Sequence, residues 1–186
     1  MLFKDYLQII NNTPFSDVDY RMRYGAAIPS RFIPLYVHKI NDTDSEIIRL
    51  SPKAMDTGHE KLVVGFYDDV LKGNTKITDL IIPHPIHELP DALLEGCSNL
   101  KRVTIPRGIY KIGQDFFKGC DSLEDIYFQG PKEEWDKIKI FWGERIIEFG
   151  DLIPGSPVCE LKSDRFESDN GNASLLKATI HFNCEF

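Results

Sequence analysis

The sequence predicts a β-rich α/β fold: a short right-handed solenoid with a parallel sheet, closed at each end by a segment that does not repeat. Three observations predict it. Three stretches align without gaps at a constant interval of 23 residues. Each stretch carries the same spaced apolar triplet. The residues on either side of the aligned region leave the pattern.

The aligned stretches are "LKGNTKITDLIIPHPIHELP" (Leu71–Pro90), "LEGCSNLKRVTIPRGIYKIG" (Leu94–Gly113) and "FKGCDSLEDIYFQGPKEEWD" (Phe117–Asp136). Gly73, Gly96 and Gly119 correspond, as do Ile77, Leu100 and Leu123; Leu80, Val103 and Ile126; and Ile82, Ile105 and Phe128. Pro83 matches Pro106, and Ile86 and Leu89 match Ile109 and Ile112. The third copy departs after Phe128, where "GPKEEW" replaces its second half. The last four residues of each triplet alternate, which describes a short strand with one buried face. One such strand cannot bury that face alone, so copies must stack into a parallel sheet over a shared interior. Parallel crossovers are right-handed, which sets the hand of the coil. Glycine permits the tight corner before each strand, and the proline after it stops pairing.

The ends follow a different logic. An open solenoid end exposes core, so residues 1–65 are expected to cover the first repeat. Phe3, Tyr6, Leu7 and Ile10 fall on one helical face. Arg31–Ile40 and Ser45–Leu50 read as strands joined by the turn Asn41–Asp44. A degenerate repeat is expected within residues 40–66, and Lys61–Gly73 leads into the first full copy. Beyond the repeats, Pro131 suits a first helical position, with Glu133 and Glu134 in the first turn. Trp135, Ile138 and Ile140 would close that apolar end. Asp151–Ser174 is rich in Pro, Gly, Ser and Asp and reads as a loop. The expected division is therefore 1–65, an N-terminal cap; 66–130, repeats; and 131–186, a C-terminal cap with a helical turn, an insertion and a closing strand.

Composition bounds the function. The chain has 186 residues, 42% of them hydrophobic, and a net charge of -7. That charge argues against sequence-independent binding of nucleic acid, which needs a basic footprint. No stretch approaches the length of a membrane span, and the N-terminus lacks an apolar signal region. A cytoplasmic location is expected if Met1 is the natural start, and a surface or secreted one if the natural chain begins earlier. The four cysteines, Cys97, Cys120, Cys159 and Cys184, are expected as free thiols. Cys97 and Cys120 share one repeat position with Asn74, so they read as small buried corner residues rather than a metal pair. No nucleophile elbow, zinc-protease, phosphate-loop or dinucleotide motif occurs. No cofactor and no metal is expected.

Strand alternation points two ladders outward: Asp79–Arg102–Asp125–Thr179, and Ile81–Thr104–Tyr127–His181 if the last strand continues the sheet. Cross-strand charge pairing on an ordinary wetted sheet would account for the first ladder. Exposed Ile81 and Tyr127 would favour a contact surface. Asp79, Ile81, Arg102, Thr104, Asp125, Tyr127 and His181 are the expected partner-binding residues.

The wording of the copies resembles the BspA-like leucine-rich repeat family, whose units read roughly F-x-G-C-x-x-L-x-x-I-x-I-P. Here that is Phe117, Gly119, Cys120, Leu123, Ile126 and Phe128 in one copy, and Leu94, Gly96, Cys97, Leu100, Val103, Ile105 and Pro106 in another. The resemblance covers about residues 66–140 and resumes at Leu175–Asn183, which looks like the family's closing strand. It implies a short right-handed leucine-rich-repeat solenoid and a non-catalytic role in protein recognition, through the sheet face or residues 141–170. A small acidic inhibitor of a host enzyme, and an enzyme with a site in the caps, are the alternatives. The sequence leaves the partner and the oligomeric state open.

Overall fold

The structure, a computed structural model, describes residues 3–22, 34–41, 44–142, 145–148, 150 and 171–185. The elements run α1 (Phe3–Asn12), β1 (Val18–Met22), β2 (Leu35–Ile40), β3 (Ile47–Arg49), β4 (Lys53–Asp56) and β5 (His59–Phe66). They continue with β6 (Asp79–Ile81), β7 (Glu88–Leu89), β8 (Arg102–Ile105), β9 (Lys111–Ile112), β10 (Asp125–Phe128) and α2 (Lys132–Trp135). Last come β11 (Lys139–Trp142), β12 (Arg145–Glu148), a 3-10 turn (Ala173–Leu176) and β13 (Thr179–His181).

The apolar triplets build the central layer. A five-stranded parallel sheet has the order β13-β10-β8-β6-β3. Its rungs pair Asp79 with Arg102, Arg102 with Asp125, and Asp125 with Thr179, one repeat period per step within the three copies. β3 supplies the rung before β6, with Ile47 opposite Asp79, and falls within residues 40–66, where a degenerate repeat is expected. The second halves of the first two copies add short strands β7 and β9 to another sheet, ordered β12-β11-β9-β7, in which β11 and β12 come from beyond the third copy. Between the sheets lies one core, in which Ile77, Leu80, Ile82, Leu100, Val103, Ile105, Leu123, Ile126 and Phe128 are all buried. Trp135, Ile138 and Ile140 join that core beyond the last copy, and Leu35, Val37, Val63 and Phe66 join it before the first.

The corners explain the invariant letters of the repeat. Gly73, Gly96 and Gly119 take φ of +72°, +79° and +72°. A Cβ on Gly96 would lie 3.4 Å from the Gly73 Cα, and one on Gly119 3.3 Å from the Gly96 Cα. The Gly73 amide donates to the Glu95 carbonyl and the Gly96 amide to the Lys118 carbonyl, each at 2.7 Å. The thiols serve the same joint: Cys97 donates to the Leu71 carbonyl and Cys120 to the Leu94 carbonyl, both at 3.2 Å. Cys97, Cys120 and Cys184 are free and buried, and Cys159 lies outside the described residues. Burial pushes the Cys97 thiol up to about 11.

Several local expectations change. Pro131 is the N-cap of α2, one position before the first helical residue. β2 and β3 sit in different sheets: β2 pairs with β1 and β5, and β3 with β6. Residues 31–33 of the expected first strand, and residues 42–43 of the turn, lie outside the described residues. The closing strand is only Thr179–His181, because Ala173–Leu176 form the 3-10 turn. Residues 151–170 of the expected loop lie outside the described residues. Asn172, which opens an N-x-S triplet, is buried; its amide donates to the Gly113 and Phe141 carbonyls at 2.9 and 2.8 Å.

Candidate interaction face

The outward ladders have the expected register. Asp79, Arg102, Asp125 and Thr179 form one, and Ile81, Thr104, Tyr127 and His181 the other. Their exposure is not as expected. Asp79 and Tyr127 are 0% exposed, Thr104 is 0% and Ile81 is 4%. The reason is α1. It does not cover the end of the first repeat; that end is filled by β2 and β5. Instead α1 lies across the outward face of the five-stranded sheet.

The contact is aromatic at its centre. Tyr6 and Ile10 are buried in one cluster with Ile81, Tyr127 and Cys184, and Phe3, Ile9 and Ile47 are packed at its edge. Residues 3, 6, 9 and 10 share a face at the spacing of a helix, whereas Leu7 stays partly exposed outside the cluster. Tyr127 is stacked between Tyr6, at 4.5 Å between ring centroids, and His181, at 4.6 Å. Phe3 approaches Tyr127 at 5.3 Å.

Charge lies directly beneath. Arg102 grips Asp79 with two donors, Nε and Nη2, the latter at 2.9 Å, and the Thr78 hydroxyl donates to the same carboxylate at 2.6 Å. The Arg102 guanidinium also sits 5.2 Å from the Tyr6 ring centroid. His181 Nε2 lies 2.7 Å from the Asp125 carboxylate. These surroundings shift the titrating groups. Burial first, and then the Asp79 charge, push the Tyr6 hydroxyl above the ordinary tyrosine range. Burial, helped by Asp125, pushes Tyr127 up to about 12. The hydrogen bond to Asp79 holds the Arg102 guanidinium above its usual value.

Of the expected residues, the face thus leaves Arg102, Asp125 and His181 partly open and covers Asp79, Ile81, Thr104 and Tyr127. Sequence reasoning placed Tyr6 and Ile10 on one helical face but expected the segment to cover the end of the first repeat, and it missed Cys184 as their neighbour. Chemically the arrangement is a stacking and hydrogen-bonding surface in which each carboxylate is committed to a cationic or imidazole partner. Among the described residues no group of three His, Cys, Asp or Glu could hold a metal ion, and no helix is long and apolar enough to cross a membrane.

A glycine-cornered, register-matched parallel sheet backed by short second strands defines a β-rich leucine-rich-repeat fold. Residues 63–144 match the family described as "BspA type Leucine rich repeat region (6 copies)". Two solved structures share the fold. One is a leucine-rich repeat protein from Bacteroides ovatus, 19% identical, with a TM-score of 0.51 over 63% of this chain and 31% of that one. The other is the T. pallidum leucine rich repeat protein, 19% identical, with a TM-score of 0.50 over 62% of this chain and 52% of that one. The chain therefore matches well under two thirds of the length of either relative. No curated protein matches it.

Proposed function

We propose that the chain is a non-catalytic protein-recognition module that presents the outward face of its five-stranded sheet to a protein partner. The observation that carries this reading is the row Arg102, Asp125 and His181, which stays partly open at the rim of the covering helix, beside the aromatic stack of Tyr6, Tyr127 and His181. Aromatic and arginine side chains are the residue types that dominate binding at protein interfaces. The match of residues 63–144 to a leucine-rich repeat family supports the same reading. The architecture that goes with it is a short right-handed solenoid, with residues 1–65 and 131–186 as non-repeat ends and 66–130 as the repeats.

The test is a capture experiment from native lysate with the whole chain. Substitutions at the open rim (Asp125→Lys, Thr179→Arg and His181→Ala together) are compared with Lys72→Glu and Lys118→Glu at the glycine corner. Loss of the captured protein with the rim variant alone supports the face. Equal capture by both variants rejects it.

A further inference from the structure

The two apolar clusters lie on opposite sides of the five-stranded sheet. The larger runs from Leu35 through the repeat triplets to Ile140 and Leu175, and α1 contributes no residue to it. The main core therefore closes whether or not α1 is seated. α1 supplies Tyr6 and Ile10 to the smaller cluster, with Phe3 and Ile9 at its edge.

Among the described residues, the small cluster and the Arg102 contact with Tyr6 are what hold the helix. It has ten residues, below the roughly 12–15 at which an isolated helix becomes marginal in water, so it forms on the sheet rather than before it. Its apolar gain is opposed by the desolvation of the Asp79–Arg102 pair it covers. The chain behind the helix is anchored independently. Arg49 Nη1 donates to the Thr13 carbonyl at 2.7 Å, and the Ser16 amide donates to the Arg49 carbonyl at 2.8 Å. Those anchors are on β3, so α1 can leave the face without disturbing them.

We propose, resting on the reading of this face as the recognition surface, that it is a helix-docking site of which α1 is the internal occupant. The partner it takes is an amphipathic helix that brings an aromatic side chain to the place of Tyr6. The slot sets that chemistry. One wall is the Tyr127 ring and the other the Arg102 guanidinium, so the inserted group must both stack and accept a cation on its face. The apolar neighbours fall at the helical spacing shown by Phe3, Tyr6 and Ile10. A partner helix competes with α1, and its apparent affinity is reduced by the fraction of time α1 is seated.

Cys184 reports on the seat. It is buried in the small cluster, whereas Cys97 and Cys120 are buried in the large one. Iodoacetamide labelling of the full chain, mapped by mass spectrometry, is expected to modify Cys184 at least about tenfold faster than Cys97 and Cys120, because local opening outpaces global opening. Tyr6→Ala raises the Cys184 rate by a further order of magnitude, about tenfold, and leaves the other two unchanged. A synthetic peptide with the sequence of residues 3–14 protects Cys184 in the Tyr6→Ala chain, and the same peptide with serine for its tyrosine does not.

Equal labelling rates for the three thiols in the wild-type chain overturn the proposal, as does failure of the peptide to protect a folded variant. If Tyr6→Ala unfolds, hydrogen exchange on the wild-type chain decides: α1 amides protected as well as those of β8 overturn the proposal. A dimer with exchanged α1 helices, seen by sizing and subunit mixing, also overturns it. These failures are distinct from failure of the recognition reading. Rim variants that still lose the captured protein while the peptide gives no protection would keep recognition and remove the helix slot. Peptide protection with equal capture by rim and corner variants would do the reverse.

Discussion

The Tyr6 ring lies on the Tyr127 ring with centroids 4.5 Å apart and planes inclined by 27°. One residue belongs to the first helix and the other to the third repeat, 121 positions later. This single stack joins the first helix to the strand next to the β13 edge of the sheet, over a face that a repeat protein would otherwise leave open. It gives the outer cluster its centre and makes several outcomes measurable.

The stack itself has a measurable strength. In a double-mutant cycle of Tyr6→Leu and Tyr127→Leu, urea unfolding is expected to show a coupling of about 0.5–1.5 kcal/mol, the usual worth of an aromatic pair beyond its buried area. Coupling near zero would mean that the rings share a cluster without supporting each other.

The repeat core should respond differently. Leu100 is fully buried between the two sheets, and Leu100→Ala is expected to cost about 2–5 kcal/mol by lost transfer energy and the cavity left behind. Denaturant midpoints at an unchanged slope check this. The outer cluster stays seated in that variant, so the labelling rate of Cys184 relative to Cys97 distinguishes core damage from helix release.

Crowding at the glycine corner can be separated from backbone strain. Gly119 and Gly58 both take left-handed φ, +72° and +79°. A Cβ on Gly119 meets the Gly96 Cα at 3.3 Å, whereas one on Gly58 meets nothing within 4 Å. Each alanine substitution is expected to cost about 1–2 kcal/mol for the left-handed backbone alone. Gly119→Ala should exceed Gly58→Ala, since only it must push two coils apart. Equal losses in thermal unfolding would show that the corner has slack.

Stability should fall in alkali over a defined window. Unfolded tyrosine loses its proton near pH 10, while Tyr127 in the folded chain holds it to about 12. Between those values the folded state binds more protons than the unfolded one, so stability falls as pH rises. It is fully present below about pH 10 and lost through about pH 12. Cys97 and Cys184 begin the decline earlier, since both are raised from 9 to about 11. Phenolate absorbance followed with far-ultraviolet circular dichroism checks the order. Tyr127→Phe should lessen the loss between about pH 10 and 12 and leave the share of Tyr6, which is also raised.

Most of the repeat core was legible in the sequence, because its cause is local and periodic. Leu80, Val103 and Ile126 sit at one interval, and any strand that buries one must bury all three in register. The position of α1 was not legible for a different reason. A helical face of Phe3, Tyr6 and Ile10 says that the helix needs a partner, not which one. The open end of the first repeat was the expected target. In the structure the helix lies on the outward ladder instead and buries Asp79, and no sequence rule expects a charged rung to be roofed by an aromatic ring. Register was easier than exposure throughout: the ladders of Asp79 and Ile81 held their pairing while four of their members turned out to be covered.

The backbone part of the joint between coils, a glycine amide on a carbonyl with a strand rung beside it, does not depend on which copy it joins. A duplicated or deleted stretch of 23 residues would meet its neighbours through the same bonds as before. The face would then lengthen or shorten by one strand spacing, about 4.8 Å, without redesign of what flanks it. The coil behaves as a ruler with replaceable divisions, and the width of surface offered to a partner is set by gene length rather than by new packing.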